Sequence, residues 1–240
     1  MDGRRRERLW RLATERVSER DSGIGWVGVV CAVAVEVLDI DGSAISLRLR
    51  DHDQELIAAD GDWAISLEEL QYTVGEGPGV EAFASGGPVL VSDLTLDEQR
   101  WPGFADAAAG QGLGATFAFP LQIGAILLGT LDLYRRAAGP LSPEELSDGL
   151  ALADLASTAL LTDSTGEGGQ NALWARPDVV GYYDDVNVAT GMLATELKIS
   201  LEDALLRLRA HAFSHQRPVT EVAKAVLDRQ LRFDSPQEPS

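Results

Sequence analysis

Cysteine occurs once in the 240 residues, at Cys31. That excludes an internal disulfide and any zinc site built from several cysteines. Long apolar runs are missing too. The most apolar stretch, Ile24 to Leu38, contains Glu36 and falls short of the roughly 18 residues that a membrane span needs. No apolar run follows the basic opening Arg4-Arg5-Arg6, so no secretory leader is read there. These features predict a soluble, cytoplasmic protein with no membrane association.

Positive charge is scarce: 20 Lys and Arg stand against 38 Asp and Glu, for a net charge of -18. Such a chain repels RNA and DNA overall. The excess is not evenly spread. Residues 1–20 hold seven arginines and four acids, residues 21–177 six arginines and 24 acids, and residues 178–234 seven basic residues and nine acids. Between 198 and 217, Lys198, Arg207, Arg209 and Arg217 outnumber Glu202 and Asp203.

Catalytic and metal chemistry have little to work with. His52 is the only histidine outside the last quarter, and it has no second ligand at suitable spacing, so neither a metal nor a cofactor is expected. Ser-His-Asp and paired-carboxylate arrangements do not stand out. Asp51, Asp53, Glu68 and Glu69 are assigned to solvated faces. Gly75-Glu76-Gly77-Pro78-Gly79 lacks the Lys-Ser/Thr of a phosphate loop, so it is assigned to a turn and helix start. The chain is not expected to be an enzyme.

What is present is periodicity. Residues 4–20 form a basic amphipathic helix with Leu9, Leu12, Val17 and Trp10 on its apolar side, suited to packing or dimerisation. Ile24 to Leu38 is predicted as a buried helix with Cys31 in the core. Ala44 to Leu49 alternates as a strand, and Leu56 to Ala59 is a short second one. Leu67 to Tyr72 makes at least a helical turn, Pro78 starts a helix through Phe83, and Pro88 to Val91 is a short strand. Trp101-Pro102 opens a helix. Thr116 to Leu121 and Ile126 to Tyr134 are paired strands joined by a turn. Ser142-Pro143-Glu144-Glu145 starts a long helix running through Leu160, with a Ser cap, Pro at the first position and Glu at the third. Residues 163–177 are linker-like in composition, with Trp174 a candidate contact.

The last quarter carries three amphipathic helices. Val179, Tyr182, Val186, Ala189, Leu193 and Leu197 share one face. Ser200 caps a second helix that buries Leu201, Ala204, Leu205, Leu208 and Ala212. Residues 218–232 form the third, burying Val219, Val222, Ala223, Val226 and Leu231. Small residues at the contacts let the helices approach closely, but alanines bury little apolar area. The segment is therefore expected to lean on a partner copy or a longer helix.

Two resemblances follow from particular residues. A-T-G-M-L-A at 189–194, I-S-L-E-D-A-L-L-R-L-R at 199–209 and R-P-V-T-E-V-A at 217–223 are similar to the ANTAR domain, an RNA-binding three-helix module of bacterial antiterminators. E-L-Q-Y-T-V-G-E-G-P-G-V at 69–80, V-L-V-S-D-L at 89–94, R-W-P-G-F at 100–104 and the strand pair at 118–134 resemble a GAF domain. Together they imply an α+β fold: a GAF-like antiparallel sheet flanked by helices at 20–162, then an all-α ANTAR module at 178–234, with helix 1–19 before and tail 235–240 after. The implied function is transcription antitermination, with a small-molecule or redox signal at the sensor and a homodimer gripping a paired-hairpin RNA. Asn187, Thr190, Gly191, Met192, Lys198, Arg207, Arg209, His211 and Arg217 are the candidate RNA contacts. Thr190 stands where many family members carry lysine, which leaves more to shape and to the avidity of two copies. Trp63, Tyr72, Phe83, Phe117 and Phe119 are the candidate pocket lining. Two alternatives stay open: a dimeric sensor or protein-binding module without RNA contact, and a helix-turn-helix DNA binder.

Overall fold

The computed structural model describes residues 3–19, 26–50, 53–97, 99–164 and 181–233. Five antiparallel strands form one sheet in the order β2-β1-β5-β4-β3. They are β1 (Gly42–Arg50), β2 (Asp53–Asp60), β3 (Val89–Val91), β4 (Ala115–Ile123) and β5 (Ile126–Arg135). Helices cover both faces, so the central strands are buried on both sides. Leu131 and Leu133 of β5 face one layer, while Thr130, Asp132 and Tyr134 face the other.

The first layer is α1 (Gly3–Glu19), α2 (Trp26–Val37) and α6 (Pro143–Ser164). Its core is aliphatic and aromatic: Leu9, Val33, Ile45, Phe117, Phe119, Leu155 and the buried Cys31. The arginines of α1 are engaged within the chain. Arg5 and Arg8 both donate to Asp148, at 2.8 and 2.7 Å, Arg6 pairs with Asp154 and Arg16 with Glu36. Trp10 is half exposed but stacks on Trp26 with ring centroids 5.1 Å apart. The helix is therefore a packing element; the side chain of Val17 lies outside the described residues. Ser142 and Glu145 form the reciprocal cap at the start of α6: the Glu145 amide donates to Ser142 Oγ and the Ser142 amide to Glu145 Oε2.

The second layer is α3 (Asp62–Val74), α4 (Pro78–Ser85) and α5 (Pro102–Gly110). The glycine-rich stretch 75–79 connects them. Gly75 ends α3 at φ 73°, Pro78 begins α4, and Glu76 Oε1 accepts the amides of Gly103 and Phe104 at the start of α5. It thus serves as a turn and helix cap.

Three helices follow: α7 (Asp184–Leu197), α8 (Leu201–Ser214) and α9 (Val219–Leu227). Ser200 caps α8, accepting the Asp203 amide at 3.0 Å. Ala189, Ala204, Ala212 and Ala223 are fully buried where the helices meet. α9 is shorter than the sequence pattern predicts. It stops at Leu227; Arg229 takes φ 57°, and the Gln230 and Leu231 amides both return to the Ala225 carbonyl. The linker beyond Ser164, Trp174, Val179, His52 and the tail from residue 234 lie outside the described residues. The bundle is joined to α3 and α5 in one continuous apolar core, so it leans on the sheet domain of its own chain. Among the described residues, no helix is long and apolar enough to cross a membrane.

Candidate functional site

Beneath α3 and α4 lies a polar cluster on the sheet. Glu68 of α3 is fully buried. Its Oε2 accepts the Ser46 hydroxyl at 2.6 Å and the Gln54 amide at 3.2 Å. Its Oε1 accepts the Gln71 amide at 3.2 Å and the Tyr134 hydroxyl. Gln71 also donates to Tyr134 Oη and accepts the Gly79 amide at 2.9 Å. Glu68 and Glu69, expected on solvated faces, are both buried: α3 spans 13 residues, more than twice the Leu67–Tyr72 stretch expected, and both its sides meet protein.

Asp132 sits beside this network with both carboxylate oxygens buried and no hydrogen bond of good geometry, while Thr130 and Gln71 lie near enough to favour its ionised form. Thr116 and Thr130 have unpartnered buried hydroxyls on the same side of the sheet. Burial, and then the neighbouring Glu68, pushes the Asp132 carboxyl well above the usual carboxylate range. Burial and Glu68 likewise raise the Tyr134 phenol. Gly79 passes so close that a Cβ there would lie 2.6 Å from Asp132 Oδ1. The cluster is enclosed by protein, and its protonated Asp132 carboxyl and threonine hydroxyls can both donate hydrogen bonds and accept them. No group of three or more metal-ligating side chains occurs among the described residues.

The opposite side of α3 meets the helical bundle. Glu69 accepts the Tyr182 hydroxyl at 2.9 Å on Oε2, and the amide and hydroxyl of Thr220 on Oε1. The Tyr72 ring stacks on Tyr183 at 3.9 Å between centroids, and the Arg209 guanidinium lies 4.6 Å from the centre of the same ring. Burial holds the Arg209 pKa below its ordinary value, while Tyr72 opposes the drop. Alongside runs a cleft of about 670 Å³, walled by Thr73, Gly103 and Asp106 on one side and by Phe213 and Arg217 on the other.

The proposed RNA contacts separate into groups. Asn187, Gly191 and Lys198 fall on the solvent side of α7, and nothing lies within 4 Å of a Cβ at Gly191; Met192 is partly covered beside them. Thr190 points inward, its hydroxyl bonded to the Val186 carbonyl at 2.7 Å. Arg207 is partly buried, and Arg209 faces Tyr72 of α3. His211 stacks on His215 at 4.0 Å. Arg217 is exposed and contacts Glu221.

The pocket candidates divide as well. Trp63 donates to the Gln111 carbonyl and meets Tyr134 edge-on at 6.2 Å; Phe83 lies under Arg48. Tyr72 belongs to the bundle junction. Phe117 and Phe119 face the α1–α2–α6 layer, because alternation along β4 turns them away from α3. The cluster of Glu68, Gln71, Asp132 and Tyr134 went unnoticed in the sequence. Its available signal was polar alternation, Thr130-Asp132-Tyr134, inside a strand apolar at every other position.

Among solved structures, the GAF domain of an Acinetobacter phosphoenolpyruvate-protein phosphotransferase is 14% identical, with a TM-score of 0.51 over 70% of this chain and 99% of that one. The corresponding domain from Coxiella burnetii is 16% identical, with a TM-score of 0.49 over 68% and 97%. The GAF-B domain of DevS from Mycobacterium smegmatis is 20% identical, with a TM-score of 0.44 over 58% and 93%. At such identities the likeness concerns fold alone. None of the curated proteins compared with the chain matches it. The pattern of the GAF domain family matches residues 28–160, more than half of the sequence. With its five-stranded sheet and helices on both faces, this chain belongs to the GAF domain family.

Proposed function

We propose that the chain is a non-catalytic transcription regulator in which the GAF domain senses a small polar signal and controls RNA binding by the α7–α9 bundle, in the manner of an ANTAR antiterminator. The observation carrying this reading is the open face of α7. Asn187 and Lys198 are exposed on either side of the half-buried Gly191, with no side chain over the glycine, on a bundle whose crossings are packed with alanine. A glycine-floored surface flanked by an amide and a cation suits a splayed base next to a phosphate. Asp132, whose protonated carboxyl can both donate and accept, supports a signal that offers a hydrogen-bond acceptor and a donor side by side. Two copies would supply the avidity that the acidic chain lacks.

The test is a gel shift of the full chain with an RNA bearing two adjacent hairpins, each with a six-nucleotide loop of adenine and guanine. Binding that weakens with Asn187→Ala or Lys198→Ala, at unchanged circular dichroism, supports the reading. Equal competition by duplex DNA, or no binding, contradicts it. A second reading, a sensor whose bundle contacts protein only, is favoured by two observations: Thr190 turns inward and Arg209 turns toward the sensor.

A further inference from the structure

Resting on that RNA-binding reading, we propose that the sensor masks part of the RNA-binding surface: α3 holds Arg209 against Tyr72, and the Glu69 contact is the clasp that must open before Arg209 reaches a phosphate.

Arg209 lies in a chain with 38 acids, yet no carboxylate pairs with it among the described residues, and its Nε is buried without a hydrogen-bond partner. Its main partner is the face of Tyr72. A guanidinium satisfied mainly by a ring gives up less on release than one in a bidentate carboxylate pair. A phosphate offers that bidentate geometry, so a polyanion and the sensor compete for one side chain. The clasp is Glu69, which draws donors from both ends of the bundle: Tyr182 just ahead of α7 and Thr220 on α9. Glu68, its neighbour on α3, is the hub of the buried polar cluster. A shift of α3 at the cluster therefore moves the clasp, and the cluster needs no direct contact with RNA.

The experiment compares the full chain with a Tyr182→Phe, Thr220→Val double variant, which removes two donors to Glu69 without changing net charge. Two quantities are measured: amide exchange of α8, and anisotropy of the labelled two-hairpin RNA at several salt concentrations. With hydrogen bonds to a buried charge lost, α8 exchange and RNA affinity should both rise about tenfold. The slope of affinity against salt should steepen by about one phosphate contact. Adding Arg209→Ala should cancel the gain. Faster exchange with unchanged affinity, for an RNA that the wild type does bind, overturns the masking while leaving RNA binding intact. Faster exchange with no RNA bound by either protein overturns the RNA reading and the masking with it. If α8 exchange does not rise, Glu69→Ala removes every donor's acceptor at once; exchange still unchanged would show that Glu69 is not a clasp.

Discussion

Asp132 is the residue whose environment makes the sharpest demand. Its folded-state pKa is raised, so the native state keeps a proton that the unfolded chain gives up near pH 4. The acid's contribution to stability is therefore fully present below that pH and is lost as the pH climbs through the folded value. Asp132→Asn removes the ionisation. Melting at pH 8 is expected to rise by an amount equivalent to about 1–3 kcal/mol, the range for an unsatisfied buried polar group, with the gain shrinking towards pH 4. A pH-independent difference would show that the carboxylate is satisfied in the native state. Gly79→Ala pushes a methyl into the same carboxylate, at 2.6 and 2.9 Å from its oxygens, and is expected to cost about 1–3 kcal/mol in a denaturant titration. Cys31 was legible as core because it sits in an unbroken apolar helix. Glu68 and Glu69 were not, since an acid beside an apolar run signals exposure unless its donors are known, and those donors come from β1, β2, β5, α9 and the turn ahead of α7.

The caps decide more at the scale of elements than propensity does. Ser200 and Ser142 were legible because a Ser with an acid three residues on is a local signal, and both caps form as their residues indicate. Ser200→Ala is expected to cost about 1 kcal/mol, seen as faster amide exchange at the start of α8 with α6 unaffected. The end of α7 is different. Lys198 ends it in the left-handed region at φ 55°, a conformation glycine adopts more readily. Lys198→Gly should leave stability unchanged or raise it by up to about 1 kcal/mol. It should still weaken RNA binding, because the cation beside the α7 face is lost. A variant that gains stability and loses binding separates function from folding; equal losses of both would make Lys198 structural. The length of α9 escaped the sequence because Arg229 at positive φ, not a glycine or proline, turns the chain back onto the helix.

Over the whole molecule, the two parts were legible because each carries its own periodicity. Their contact was not. It rests on Glu69 and Tyr72 meeting Tyr182, Tyr183, Arg209 and Thr220 across more than a hundred residues of chain. No window of sequence contains both sides. The excess of acid in residues 21–177 suggested a domain that repels nucleic acid, but the structure puts an aromatic ring, not a carboxylate, under the Arg209 guanidinium at the junction. The most direct measurement is ultraviolet crosslinking of the full chain to cellular RNA, followed by sequencing of the bound fragments. The expected result is enrichment of transcripts with two neighbouring hairpins, crosslinked through their loops and lost with Asn187→Ala or Lys198→Ala. Recovery of no RNA, or of fragments without shared structure and indifferent to those substitutions, would contradict the claim that this bundle reads looped bases.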